Sequence, residues 1–385
     1  MPLPSPASHP MRIIHTEAAT GFGGQEHRVL NEMLGMRDRG HQVEIICQPD
    51  SQLAGRAREA GFRVHTRPMD GWRNYIKGVL AIWRILRARQ PHVVNTHSRR
   101  DTVIAALAAR LAAVPLIVRT RHLARRPRSL WAYTGLPHAV IAVSHYVANQ
   151  LLERGVAASR LTTVPDGVAW PHHRPLSTLR QELGLNDGDL LIGCVAHLRP
   201  QKGHASLLRA LAPHLRARPH VHLVLAGAGS ERASLETLAR ALDIAARTHF
   251  LGRRADVPNI MAGIDLFVLP TQFEALGTVF IEAALNGVPA IGTRVGGVPE
   301  VLKHELTGLL VPPDDTDALT AAIGALLTRP RLRRGMGQAA AAFVRRNPCF
   351  SLEGMAHGME CAYLDWLRAR GISMEGRMPD APQVR

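Results

Sequence analysis

Aromatic residues make up only 4% of this 385-residue chain. That scarcity counts against nucleic-acid modules that stack successive bases on aromatic side chains. Cysteine is scarce too: Cys47, Cys194, Cys349 and Cys361 show no C-x-x-C spacing. A disulfide framework or cysteine zinc site is therefore not expected, and a reducing compartment fits best. The opening Met1-Pro2-Leu3-Pro4-Ser5-Pro6 lacks the cationic and apolar regions of a secretory signal. The longest apolar stretch, 103–118, is interrupted by Arg110 and Pro115, short of the roughly 20 residues a membrane span needs. The expectation is a cytoplasmic protein, soluble or peripheral on the inner membrane face.

Acidic residues are outnumbered, 31 against 47 basic, giving a formal net charge of +16. Such a field attracts phosphates, nucleic acid or an anionic membrane surface, and charge alone does not choose among them. What the chain has is aliphatic: 46% of residues are hydrophobic, and Ala, Leu and Val recur throughout. This suits helices packed on sheets, in two or three domains.

From Met11 onward, short β-branched runs alternate with helical patterns: strands near 12–15, 43–46, 63–65, 92–95, 116–118 and 139–143, with helices predicted over 25–38, 72–89 and 102–113. Parallel strands need crossovers, so this is a buried parallel sheet covered by helices. Turn formers cluster over 164–189 around one short helix at 178–183, and the alternation restarts with strands at 190–195, 221–225, 248–251, 266–269 and 290–292. The fold class expected is α/β with two doubly wound, Rossmann-like domains. The divisions are a tail at 1–10, a first domain at 11–165, a linker at 166–189, a second domain at 190–350, a packing helix at 351–370 and a tail at 371–385. Helices are predicted over 316–327, 331–345 and 353–370.

Three loops between strand and helix could hold an anion. Gly21-Phe22-Gly23-Gly24 could be a ligand loop or only a tight turn. Gly227-Ala228-Gly229 lacks the third glycine of a dinucleotide fingerprint and reads as structural. The segment Leu198-Arg199-Pro200-Gln201-Lys202-Gly203-His204 aims two cations where the second sheet ends, but it is not a P-loop, because its glycine follows the lysine. The most informative stretch runs from Pro270 to Pro289. Glu274 falls in a loop and Glu282 on a helix beginning near Gly277; eight helical steps would part them by roughly 12 Å, suiting opposite ends of one ligand. Glu282 lies within Phe280-Ile281-Glu282-Ala283-Ala284-Leu285, where a buried carboxylate needs donors, and ribose hydroxyls would serve.

With these residues in view the sequence resembles the family-4 glycosyltransferases, built as two facing Rossmann-like domains (the GT-B architecture). Glu274 and Glu282 match the family's E-x7-E, Gly296-Gly297-Val298-Pro299-Glu300 its G-G-x-P-E turn, and Thr307-Gly308-Leu309-Leu310-Val311 its closing strand. Gly23-Gly24 and Arg39-Gly40-His41-Gln42-Val43 match its first domain. The resemblance implies a retaining transferase of the hexosyltransferase type that uses a nucleotide-diphosphate sugar. Lys202 and Arg199 would bind the diphosphate, with His197 standing where the arginine is usual. Glu274 would meet the transferred sugar and Glu282 the ribose. Donor contacts are expected from Gly23, Gly24, Arg199, Lys202, Leu276, Gly277, Thr278 and Glu282; catalytic roles fall to Glu274 and His122.

The L-R-x-x-K-G-H spelling, with Asn95-Thr96-His97-Ser98 and Ile117-Val118-Arg119-Thr120-Arg121-His122, is similar to lipopolysaccharide-core members, so the acceptor expected is a glycan or glycolipid of the cell surface. No cofactor is expected and no metal: Asp187-Gly188-Asp189 reads as a turn and Asp315-Thr316-Asp317 as a helix start. Arg84, Arg87, Arg89, Arg119, Arg121, Arg125, Arg126 and Arg128, with Trp131, are read as a basic surface for an anionic membrane. Nucleic acid is not expected as a partner. The competing readings are a sugar-nucleotide epimerase of the same architecture and a basic nucleic-acid-binding protein.

Overall fold

A computed structural model describes residues 9–70, 73–127, 129–170 and 176–372. The first sheet is seven-stranded and wholly parallel: β1 (Arg12–Glu17), β2 (Gln42–Cys47), β3 (Arg63–Thr66), β4 (Val93–Thr96), β5 (Leu116–Arg121), β6 (Ala139–Ala142) and β7 (Leu161–Thr163), in the order β3-β2-β1-β4-β5-β6-β7. The second is six-stranded and parallel: β8 (Leu190–Val195), β9 (Val221–Ala226), β10 (Thr248–Gly252), β11 (Leu266–Leu269), β12 (Ala290–Thr293) and β13 (Gly308–Val311), in the order β10-β9-β8-β11-β12-β13. Helices cover both faces, giving two doubly wound domains of the GT-B type.

The strand interiors are nearly continuous apolar runs because both faces are covered. Ile13, Ile45, Val93 and Val118 pack one face of the first sheet, and Ile14, Ile46, Val94 and Ile117 the other. β7 escapes a sequence reading, since Leu161-Thr162-Thr163 is too short to show a pattern.

The last helix, Leu352–Ala369, belongs in space to the first domain: Met355, Ala356, Met359, Tyr363 and Leu367 enter the core beneath the helix Gly24–Asp38. The chain thus passes between the domains twice, and the two passages are bonded. Val168 N–H donates to Phe350 O (2.9 Å) and Leu352 N–H to Val168 O (3.2 Å). The region read as linker is shorter than expected. Residues 177–183 pack on the second domain through Leu179, fully buried in its core, and Arg180, paired with Asp265 at 2.5 Å. Pro171, His172 and His173 of the linker reading lie outside the described residues, as does the 373–385 part of the final tail.

Candidate active site

In each sheet one pair of neighbouring strands, β1 with β4 and β8 with β11, sends its following chain to opposite sides, opening a crevice at the strands' carboxyl ends. The crevice of the second sheet is walled by the loops 196–203 and 270–277. Gln272 N–H (2.8 Å) and Thr271 Oγ1 (3.2 Å) both donate to Gln201 O, tying one loop to the other. Gly203 adopts φ +73°, and a Cβ there would lie 2.0 Å from Pro270 O, so a side chain would force the loops apart.

This closure brings Lys202 and Glu274 together: Lys202 Nζ donates to Glu274 Oε2 at 2.6 Å. The Glu274 loop is backed by the Gly296-Gly297 turn. Gly297 N–H donates to Glu274 O at 3.1 Å, while Gly296, at φ +54°, would place a Cβ 1.8 Å from that oxygen. The helix Thr278–Leu285 then starts with no side-chain cap, its N-cap being Gly277. Its free N–H groups and positive dipole end suit an anion. Thr278 is part-buried at the first turn, whereas the Leu276 side chain is buried and leaves only backbone for a ligand. Glu282 is half-buried, its carboxylate has no hydrogen-bond or ion-pair partner among the described residues, and burial pushes the carboxyl up to about 7.

Arg199 is exposed at the start of the turn Pro200–Lys202, its guanidinium without a hydrogen bond or ion pair among the described residues. Gly23 faces the second domain, since a Cβ there would lie 3.5 Å from His197 Nε2; a Cβ on Gly24 would meet open space. The Gly227-Ala228-Gly229 turn braces the same loop, with Leu198 N–H donating to Ala228 O at 3.0 Å.

Over the crevice of the first sheet lies a cavity of about 860 Å³, its lining including Glu17, Gln25, Ser98, Arg99, Arg100 and Trp131. Burial, with the Asp101 charge beside it, pushes the Glu17 carboxyl up to about 8. His122 stands at the end of a histidine row. Its Nε2 is 3.0 Å from His97 Nδ1, and His97 Nε2 is 2.9 Å from His15 Nδ1. Burial first, and the neighbouring guanidiniums after it, hold His122 well below the usual imidazole range.

Two carboxylates bind the domains together. Asp166, on the first passage between them, takes Arg28 Nη1 at 2.5 Å, and the Glu274 charge contributes to raising its pKa, behind the larger effect of burial. Glu300 of the G-G-x-P-E turn accepts the N–H groups of His145 (2.9 Å) and Tyr146 (2.8 Å), capping a first-domain helix from the second domain. Sequence reasoning missed His15, Glu32, Arg28 and Asp166 as members of the site. The available signal was a histidine on β1 and another directly after β4, adjacent strands at the crevice.

The basic surface read from sequence needs correction. Arg119 and Arg121 are buried, because β5 turns both under Tyr133, whose hydroxyl accepts from Arg121. Arg89 is tied to Glu44 and Arg126 to Glu153, Arg125 lies over the Phe273 ring, and Arg128 is outside the described residues. Trp131 is exposed. Asp315 accepts from Ala318 N–H at 2.8 Å as a helix cap, and Asp189 accepts from Asn186 N–H at 2.8 Å within a turn. No helix among the described residues is long and apolar enough to cross a membrane.

Comparison with known proteins agrees with this architecture half by half. Residues 22–169 match the family described as Glycosyltransferase Family 4, and residues 177–343 the family described as Glycosyl transferases group 1. Each half of the chain thus matches a glycosyltransferase family model. Among curated relatives, it is 32% identical over 231 residues to N-acetyl-alpha-D-glucosaminyl L-malate synthase of Bacillus anthracis, covering 60% of each chain. It is 25% identical over 337 residues to an Escherichia coli UDP-Gal:alpha-D-GlcNAc-diphosphoundecaprenol alpha-1,3-galactosyltransferase, covering 81% of this chain and 87% of that one. The match spans 60%, 48% and 58% of the length of the first three curated relatives. Among solved structures, Anabaena HepE in complex with UDP superposes with a TM-score of 0.82 at 21% identity, over 92% of this chain and 100% of that one; this likeness speaks to the fold.

Proposed function

We propose that this glycosyltransferase moves a sugar, with retention, from a nucleotide-diphosphate sugar held by the second domain to a glycan or glycolipid acceptor entering over the first sheet. The observation that carries the reading is the crevice where Lys202, Glu274 and the uncapped start of the helix Thr278–Leu285 converge. A diphosphate arriving there competes with Glu274 for Lys202. It gains charge-assisted hydrogen bonds from Lys202, from Arg199 and from backbone N–H groups at Gly277 and Thr278, which stabilise the negative charge that grows as the sugar–phosphate bond breaks. Glu274, released from its ion pair, accepts hydroxyls of the sugar, and Glu282 accepts those of the ribose. Gly23 and Gly24 let the first domain approach the donor closely.

The departing phosphate takes the acceptor hydroxyl's proton on the face it leaves, so the new bond forms on that same face without a side-chain nucleophile. Closure of the domains, which the Glu300 cap favours, keeps water out and limits hydrolysis. The leaving-group charge is met without a metal ion, and the rate is expected to be unchanged by EDTA. The L-R-x-x-K-G-H loop and the lipid-diphosphate named in the Escherichia coli relative support a cell-surface glycan or lipopolysaccharide intermediate as acceptor. The net charge of +16, with exposed Arg125, Arg126 and Trp131, supports contact with the anionic inner membrane face, expected to weaken as salt rises.

Measuring nucleotide release with and without a glycan acceptor tests the reading. Acceptor-dependent release with a new glycosidic product supports it. Conversion of the donor sugar without any acceptor would make the protein an epimerase.

A further inference from the structure

Behind His122 runs a buried polar row that sugar transfer itself does not use. After His122, His97 and His15 it reaches Glu32, with His15 Nε2 3.8 Å from Glu32 Oε1. That oxygen already accepts from Tyr363 Oη (3.0 Å) and Asn95 Nδ2 (3.1 Å), and Arg28 Nε lies 3.9 Å from the other oxygen. Glu32 therefore acts purely as an acceptor. Arg28, Arg119 and Arg121 all act on His122, Arg28 the most, and His122 Nδ1 is buried with no hydrogen-bond partner.

A neutral imidazole has one N–H and one lone pair, so two ring-to-ring hydrogen bonds leave the row only two proton arrangements. In one, every ring donates toward Glu32, and His15 Nε2–H faces the carboxylate. In the other, every ring donates away, and His15 turns a lone pair on Glu32 in a buried place where neither acceptor gains a donor. The Glu32 end chooses the first, because only there does the carboxylate face the His15 N–H, and Arg119 and Arg121 oppose a further N–H at His122; Arg28, beside Glu32 and also acting on His122, offsets part of this field. Burial keeps the three rings in the neutral form this requires.

The geometry points to Glu32 as a positioning residue that, through His15 and His97, fixes His122 as a hydrogen-bond acceptor at Nδ1, selecting the donating orientation of a ligand hydroxyl there. The part concerning the ligand rests on the proposed placement of His122 beside the transferred sugar; the tautomer does not. Reversing the row would turn the same atom into a donor, set it against the guanidiniums and oblige a ligand hydroxyl to accept instead of donate.

Two-bond ¹H–¹⁵N spectra of the native protein, labelled with ¹⁵N-histidine, read the tautomer directly. The expected result is a His122 ring protonated at Nε2 with a free lone pair at Nδ1, and a ring protonated at Nδ1 would overturn the inference. Glu32→Gln removes the charge that draws the His15 N–H and so frees the row to reverse, whereas Glu32→Asp keeps the charge. Gln should therefore switch the His122 signals and lower kcat by roughly threefold to tenfold, the value of one hydrogen bond, with Asp retaining the native signals. Equal signals in native and Gln proteins would overturn the role of Glu32. A switched tautomer with unchanged kcat, measured with UDP-glucose or GDP-mannose as donor, would remove the sugar from His122 and so overturn the selection while leaving the tautomer control standing.

Discussion

The two crevices do the same topological job with opposite materials. Over the second sheet the groups are charged and come from short stretches: Lys202 and Glu274 face each other from loops that Gly203, Gly296 and Gly297 allow to touch. Over the first sheet the groups nearest the crevice centre are titratable but held uncharged, three histidines by burial and Glu17 with its carboxyl raised, while Arg99 and Arg100 line the cavity around them. The difference suits a division of labour in which a leaving diphosphate needs fixed positive charge and an acceptor hydroxyl needs a shaped, less charged place.

The contrast breaks most sharply at Glu274. Glu274→Gln should lower kcat by about 100-fold or more, the scale of losing one preorganised electrostatic group, while nucleoside diphosphate still binds; calorimetry and rate measurements on one preparation would separate the two. Equal turnover would remove Glu274 from the reaction. Lys202→Ala and Arg199→Ala should each weaken nucleoside diphosphate binding by about 1.5 to 3 kcal/mol. If His197→Ala alone weakens it, the second cation has been misassigned.

Glu282 sharpens the comparison by pH. Its carboxyl stands at about 7 in the folded protein against an ordinary value of 4.5. The native state thus holds its proton more tightly than the unfolded state, so stability falls as pH rises from 4.5 toward 7 and levels off above. Glu282→Gln should remove that slope, at most about 3 kcal/mol across the window, in denaturant melts at several pH values. Nucleotide affinity should rise through the same window in the native protein, since ribose hydroxyls favour the ionised acceptor. A flat profile in both measurements would contradict the placement of Glu282.

The smallest effect belongs to the contact joining the two sides. Glu300→Gln keeps the shape but weakens a cap on the helix His145–Glu153, and a loss of about 0.5 to 1 kcal/mol should appear as a two- to fivefold fall in kcat/KM. An effect on donor binding to the isolated open form, measured without acceptor, would instead assign Glu300 to the donor.

How much of this was legible in sequence follows the same divide. The second crevice could be read because its members lie in continuous segments, Leu198 to His204 and Pro270 to Pro289, where glycine and charge spacing survive as a linear pattern. Strand alternation likewise reads both sheets, apart from the three-residue β7 and from β13, which comes only through the family resemblance. Of the first crevice the family resemblance points to His122 alone as catalytic, because His15, Glu32, His97, His122 and Tyr363 meet only after β1, β4 and β5 pair and the last helix returns across the domain boundary. Two members of the basic surface, Arg119 and Arg121, were misplaced for a related reason. Composition counts arginines without showing which way a strand turns them, and β5 turns Arg119 and Arg121 inward onto Tyr133.

The central claim is that the second sheet's crevice holds the donor's diphosphate. A crystal structure of the protein soaked with a nucleoside diphosphate tests it most directly. The account predicts phosphate oxygens within hydrogen-bond distance of Lys202 Nζ and of the first N–H groups of the helix Thr278–Leu285, with Glu274 freed from its pair and Glu282 on the ribose. A diphosphate bound away from Lys202, with the Lys202–Glu274 pair still closed, would contradict it.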